Sequence, residues 1–290
     1  MTNGLTASRA AYQLTHILDL FAEHHGAPQF PVDVVDLAKD AANQFNWNDP
    51  ITEVQAADIR NFEGALFPID DKRSWALFYN SKLKSPGRIR FTQAHELGHY
   101  LLHRHQKDSF SCSQSDVINL DTDEVTIEAQ ADSFASTLLM PLNDFRTQMS
   151  GTTAVDFDSL GACADRYGVS LTAAALRWIK DTDKQAVLIV HRDGFMDWAF
   201  SSNAAVKNGA FFRTKQQTIA IPGGSLAADA RVIHERSGVE MAARTWFPHA
   251  SADLSLREMK ITADGYDSIM TLLLLPRGAS VWQPWAERDR

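Results

Sequence analysis

The segment His95-Glu96-Leu97-Gly98-His99 constrains this chain more than any other. It sits in an apolar stretch, with Ala94, Leu97, Leu101 and Leu102 around it, so it predicts a helix packed into a core. Two histidines and a glutamate buried together are costly unless something pairs with them. On a helix, residues i and i+4 share a face, so His95 and His99 can present two imidazole nitrogens to one metal ion. Glu96 falls beside them, placed to act as a general base on water rather than as a ligand. Gly98 costs about 1 kcal/mol in a helix interior relative to Ala, and the reason expected for it is room where helix and substrate approach. The alternative is a surface helix that spells the motif by chance among 10 histidines, and the apolar context argues against it.

A catalytic zinc needs three protein ligands and an open position. His105 stands six residues after His99, but Leu102 occupies the place where a third-histidine pattern needs Gly. At about 100° per residue, a continuing helix carries His105 away from the metal. A carboxylate from a later helix fits better. Glu128 opens the run Glu128-Ala129-Gln130-Ala131-Asp132-Ser133-Phe134-Ala135, in which Glu128 and Asp132 share a face and alanines permit close approach. Asp132 is then the carboxylate that holds a ligand histidine by its other ring N–H, its plain alternative being a surface acid. Glu124 is a rival ligand in the polar segment upstream. For the oxyanion donor, Tyr100, His103 and Tyr79 all qualify. A peptide substrate can pair with a sheet edge, and residues 75–80 are the expected edge.

The rest of the chain frames this site. Apolar spacing predicts a helix over residues 7–25, stopped by Gly26, and a short helix from Pro31. Residues 64–67 and 75–79 read as a β-hairpin, and a helix is expected from about Arg90 to His105. Residues 106–124 read as an exposed loop, followed by the helix carrying Glu128, which Pro141 ends. Residues 156–180 form a helix-turn-helix-like pair whose second helix, poor in polar and basic groups, suits packing better than reading DNA. From residue 183 the texture turns to strands at 186–190, 194–200, 244–247 and 268–275. At 290 residues several units are expected: residues 1–148 as a metallopeptidase-like domain, 149–182 as the helical unit, 183–290 as a β-rich α/β domain. The fold class is α+β.

A net charge of −8 and a pI near 5.7 argue against a nucleic-acid surface. Two cysteines, Cys112 and Cys163, suit unpaired thiols in a reducing compartment. With no apolar run long enough to span a bilayer and no secretory signal at the start, a cytoplasmic location is expected.

Residues 90–103, followed by 128–141, resemble the ImmA/IrrE family of metallo-endopeptidases. That resemblance implies a zincin-like domain with a small β-sheet, His95, His99 and Glu128 as metal ligands, and Glu96 as the catalytic glutamate. It implies zinc as the cofactor, with manganese as the alternative. It further implies cleavage of a helix-turn-helix transcriptional repressor, which derepresses mobile-element or stress-response genes, and a GAF-like sensor at the C-terminus. The competing reading is a DNA-binding or interaction-type transcription regulator that keeps a structural zinc.

Overall fold

The computed structural model describes residues 5–26, 28–59, 61–107, 109–112, 122–150, 154–263 and 268–282. The chain divides into two compact units, Met1–Gly151 with Cys163–Ser170, and Thr152–Ala162 with Leu171–Arg290. Among the described residues no helix is long and apolar enough to cross a membrane.

In the first unit, α1 spans Ala7–His25, begun by Thr6, which accepts from the Arg9 amide, and ended by Gly26 at φ 65°. The short helix α2 covers Val34–Phe45 and starts later than Pro31 suggests. Its N-cap is Asp33, whose carboxylate accepts from the amides of Val35 and Asp36 and so satisfies donors a helix start leaves unpaired. Strands β1 (Ile51–Ala57), β2 (Gly64–Ile69) and β3 (Ser74–Asn80) follow, then α3 (Pro86–His103), β4 (Phe110–Cys112), α4 (Thr122–Leu139) and α5 (Leu142–Ser150).

The hairpin of β2 and β3 forms as its aromatic runs suggest, closed by a turn in which Asp70, Asp71 and Lys72 all take positive φ. The sheet order is β1-β3-β2-β4, with β1 parallel to β3 and the other pairs antiparallel. This corrects the expectation that residues 75–80 form a free edge: β3 is hydrogen-bonded on both sides, and the outer strands are β1 and β4. Polar β1 owes its place to pairing, with Ile51 alone fully buried. Part of the segment expected as loop is strand β4, paired with Gly64–Leu66 of β2, while residues 113–121 lie outside the described residues.

The core of this unit gathers Leu14 from α1, Leu37 and Ala41 from α2, Leu66 and Leu77 from the sheet, Leu97 and Tyr100 from α3, and Phe134 and Leu138 from α4. Helices α3 and α4 lie against each other at Gly98. A Cβ there would stand 3.0 Å from Phe134 Cδ1 and 3.2 Å from Ala131 Cα. Gly98 therefore makes room for the close approach of α4.

Helix α6 (Phe157–Tyr167) is shared between the two units along the chain. The second unit continues with α7 (Leu171–Asp181), β5 (Gln185–Arg192), β6 (Phe195–Ser201), α8 (Asn203–Lys207), β7 (His234–Ala242), β8 (Ser255–Ala263) and β9 (Ser268–Leu275). Its five strands are all antiparallel in the order β6-β5-β9-β8-β7. Residues 244–247, expected as a strand, instead form the 3₁₀ turn Ala243–Thr245 followed by buried Trp246 and Phe247. Cys163 is a free, buried thiol, and the side chain of Cys112 lies outside the described residues.

Candidate metal centre

Helix α3 begins with Ser85 accepting from the Arg88 amide and Pro86 in its first turn, then buries nearly every residue from Thr92 to Leu101. Its C-terminal end is anchored by Tyr100, whose hydroxyl donates to the Asp49 carbonyl at 2.9 Å, and by Arg104, paired with Asp49 at 3.0 Å over the Trp47 ring. Burial pushes the Tyr100 hydroxyl well above the usual tyrosine range, so it stays protonated as a donor to that loop. Tyr100 is thus a structural tether rather than a free oxyanion donor.

On this rigid helix His95 and His99 are buried, and α4 brings Glu128 to them. His95 Nε2 lies 3.0 Å from His99 Nε2 and 3.1 Å from Glu128 Oε2, and His99 Nε2 lies 3.3 Å from Glu128 Oε1. Ligands about 2.0–2.1 Å from one ion at tetrahedral angles stand about 3.3 Å apart, so the three donor atoms already have the spacing of a metal face. Among the described residues, this is the one such group of three or more His, Cys, Asp or Glu side chains. Protonation suits the same task. Burial lowers His99 to about 4, despite hydrogen bonding to Glu128 that acts the other way. Glu128 is pulled well below the carboxylate range: burial alone would raise it, and the hydrogen bonds from His95 and His99 outweigh that. At neutral pH His99 is a neutral imidazole and Glu128 a carboxylate, the forms a divalent ion binds.

Other side chains orient this group. His95 Nδ1 meets Asp132 Oδ1 at 2.9 Å, as the shared face of Glu128 and Asp132 suggests. The Phe110 ring of β4 stacks on His99, with centroids 4.6 Å apart and planes 17° from parallel. His99 Nδ1 lies 3.1 Å from His103 Nδ1, and His103 Nε2 lies 2.9 Å from Gln130 Oε1. That engagement removes His103 from the set of open oxyanion donors, while Tyr79 is half-buried on β3 opposite Gly64.

Glu96 is wholly buried, and its carboxylate rests against Gly64 of β2. A Cβ at Gly64 would overlap Glu96 Oε1, and would stand 2.6 Å from Thr92 Cγ2 and 2.9 Å from Glu96 Cγ. The missing side chain at residue 64 is what lets the glutamate lie there. His105 falls in the turn after α3 and outside the group. Glu124 proves to be on helix α4, and its side chain lies outside the described residues. Gly64, Phe110 and Gln130 were not singled out by motif reading as parts of the site, and His103 was named there only as a candidate oxyanion donor. The signal for His103 beside His99 is its place four residues further on along the same helical face.

A His-His-Glu group on two packed helices, beside a small mixed sheet, is placed to hold one metal ion. Residues 49–178 match the peptidase M78 model, described as the IrrE N-terminal-like domain, which supports the resemblance of this segment to the ImmA/IrrE family. No curated protein matches the chain. Among solved structures, it resembles a Mycobacterium tuberculosis transcriptional regulator at 17% identity, with 91% of this chain and 76% of that one covered and a TM-score of 0.53, a likeness of fold.

Proposed function

We propose that this chain is a zinc-dependent endopeptidase that hydrolyses one peptide bond in a specific protein, a helix-turn-helix transcriptional repressor, and so derepresses stress or mobile-element genes. The observation that carries this reading is the convergence of His95, His99 and Glu128 donor atoms at 3.0 to 3.3 Å, next in sequence to a buried Glu96. Zinc bound by these three side chains, with manganese as the alternative, supplies a Lewis acid that polarises the scissile carbonyl and acidifies water. Glu96 takes the proton from the attacking water and returns it to the leaving amide nitrogen. Asp132 holds the His95 ring by its Nδ1–H. A peptide can pair with outer strand β4, whose Phe110 lies on His99, and would then run beside the metal ligands.

In this proposal residues 1–148 are the peptidase, 149–182 a helical connector and 183–290 a GAF-like sensor, in a cytoplasmic protein. The test is incubation of the zinc-loaded chain with candidate helix-turn-helix repressors, beginning with any encoded beside it. Cleavage at one site, lost in Glu96→Gln, supports the reading, and equal cleavage by that variant sinks the assigned mechanism. The similar M. tuberculosis structure, described as a transcriptional regulator, supports a second reading in which zinc is structural and residues 156–180 contact DNA. Structural zinc sites, however, are closed by four protein ligands, and among the described residues three are grouped here. Sequence-specific duplex binding that falls steeply with salt would favour that second reading.

A further inference from the structure

We propose that the second unit carries a docking surface for single-stranded nucleic acid, built on Trp282, Phe211 and the cations beside them. The proposal stands on this unit alone and does not depend on the metal reading. It begins with charge. The two segments that build the surface, residues 201–228 and 268–282, hold Lys207, Arg213, Lys215 and Arg277 and no acidic residue, in a chain with 36 Asp and Glu. All four cations are exposed. The chain as a whole carries −8, but at about 0.15 M salt a charge is screened beyond about 8 Å. The charges that build the surface therefore weigh more than the total.

Beside these cations stands a tryptophan that is held in place without being buried. Trp282 Nε1 donates to the Lys207 carbonyl at 2.9 Å, and the Val281 amide donates to the Asn208 carbonyl at 2.9 Å. Gly209 leaves the room in which the indole sits: a Cβ there would stand 2.9 Å from Trp282 Cδ2 and 3.0 Å from Cγ. The Phe211 ring meets the indole edge to face, with centroids 5.7 Å apart and planes at 70°. Phe212 turns the other way, into the core against Trp246 and Phe247. With all these fixings Trp282 is still 44% exposed, as is Val206, one residue before Lys207. The Arg213 guanidinium lies 5.7 Å from the Phe211 centroid, so cation and rings form one patch. Single strands bind where bases stack on aromatic rings while cations follow the phosphates, and a duplex, with its bases stacked on one another, offers no such face. An anionic membrane would draw on the same residue types, but its binding grows with the apolar area pushed among the lipids. Here Phe211 is half-buried and the indole is clamped by Gly209 and Lys207, which suits stacking better than insertion.

The test is fluorescence anisotropy of a labelled oligothymidylate of about 15 nucleotides titrated with the full chain in about 50 mM salt. A duplex of equal length and flotation with vesicles of phosphatidylserine and phosphatidylcholine run beside it. The expected result is saturable binding of the oligonucleotide and weaker binding of the duplex. Trp282→Ala should weaken oligonucleotide binding about tenfold or more, and Trp282→Phe, which keeps a ring, should lose less. Lys207→Gln and Arg213→Gln should each weaken it and lower the salt slope by about 0.7. Trp282→Ala also removes packing against Gly209 and Phe211, so if its Tm falls the glutamine variants, whose side chains are exposed, decide the matter. Absent oligonucleotide binding, or binding unchanged in Trp282→Ala and in the doubly substituted Lys207→Gln, Arg213→Gln chain, overturns the proposal. Vesicle binding with none to the oligonucleotide overturns it in favour of a membrane surface. A preference for duplex that ignores Trp282 overturns it as well, and would belong to the reading in which residues 156–180 contact DNA.

Discussion

Gly98→Ala probes the contact that sets the ligand spacing. The new methyl carbon would lie 3.0 Å from Phe134 Cδ1, 3.2 Å from Ala131 Cα and 3.4 Å from Ala131 O. Comfortable carbon contacts need about 3.5–4.0 Å, so α3 and α4 must separate by about 0.5 Å. Phe134 and Ala131 are fully buried, and two of the three contacts are to helix backbone, which no side-chain rotation relieves. Overpacking of this kind costs about 1–3 kcal/mol, whereas Gly→Ala in a helix interior gains about 1 kcal/mol. The net is a loss of about 1 kcal/mol, a drop in Tm of about 2–4 °C for a unit of this size. Because α4 carries Glu128 and α3 the two histidines, the same separation exceeds the roughly 0.2 Å tolerance of a metal site. Zinc affinity should therefore fall about tenfold, near the lower end of the effect of disturbing groups that orient ligands. Thermal unfolding by circular dichroism, with and without zinc, reads both effects: a lower Tm in the metal-free protein, and a smaller rise on adding zinc. A higher Tm with unchanged zinc affinity would refute the packing argument, because it is what helix propensity alone predicts.

Asp132→Ala should weaken zinc binding by about 10- to 100-fold while leaving the fold intact, since Asp132 is largely exposed and holds only the His95 ring; a chelator titration measures this. Gly64→Ala should displace the Glu96 carboxylate and reduce kcat by about 100-fold, the scale of a 1 Å misplacement, with zinc stoichiometry unchanged; steady-state cleavage of the protein substrate checks it. In the second unit, burial, helped by the charge of Lys260, lowers His191 from 6.5 to about 4. Between these values the unfolded chain takes up a proton that the folded one refuses. Stability from this site is therefore complete above about pH 6.5 and is lost as pH falls towards 4, by up to about 3 kcal/mol. Urea unfolding at pH 7 and 4.5 should show the loss in the wild type and a smaller one in His191→Phe.

What the sequence revealed depended on how local the controlling interactions are. The site pairs His95/His99 and Glu128/Asp132 are both i, i+4 spacings on helices, so one-dimensional periodicity places their side chains together. The hairpin of β2 and β3 is equally local. Strand β4 was hidden because Phe110 sits in a serine-rich run and is strand only through its pairing with Gly64–Leu66. Gly64 and Gln130 come to the site across long separations that no spacing rule encodes. Strand β8 escaped because its inward face includes Glu258 and Lys260, which read as surface charges. In the structure Glu258 accepts from the Ala227 amide at 2.7 Å and from Trp246 Nε1 at 2.8 Å, and Lys260 Nζ donates to the Asp229 carbonyl at 2.7 Å. Their partners lie in the segment between β6 and β8, so their burial is legible only after folding.

The central claim is that His95, His99 and Glu128 form one metal site with Glu96 beside it but outside the ligand set. Zinc titration of the purified chain by isothermal calorimetry tests this most directly. The account predicts one zinc per chain, with tight binding lost in His99→Ala and Glu128→Ala and kept in Glu96→Gln. Tight binding that survives Glu128→Ala, or is lost in Glu96→Gln, would contradict it.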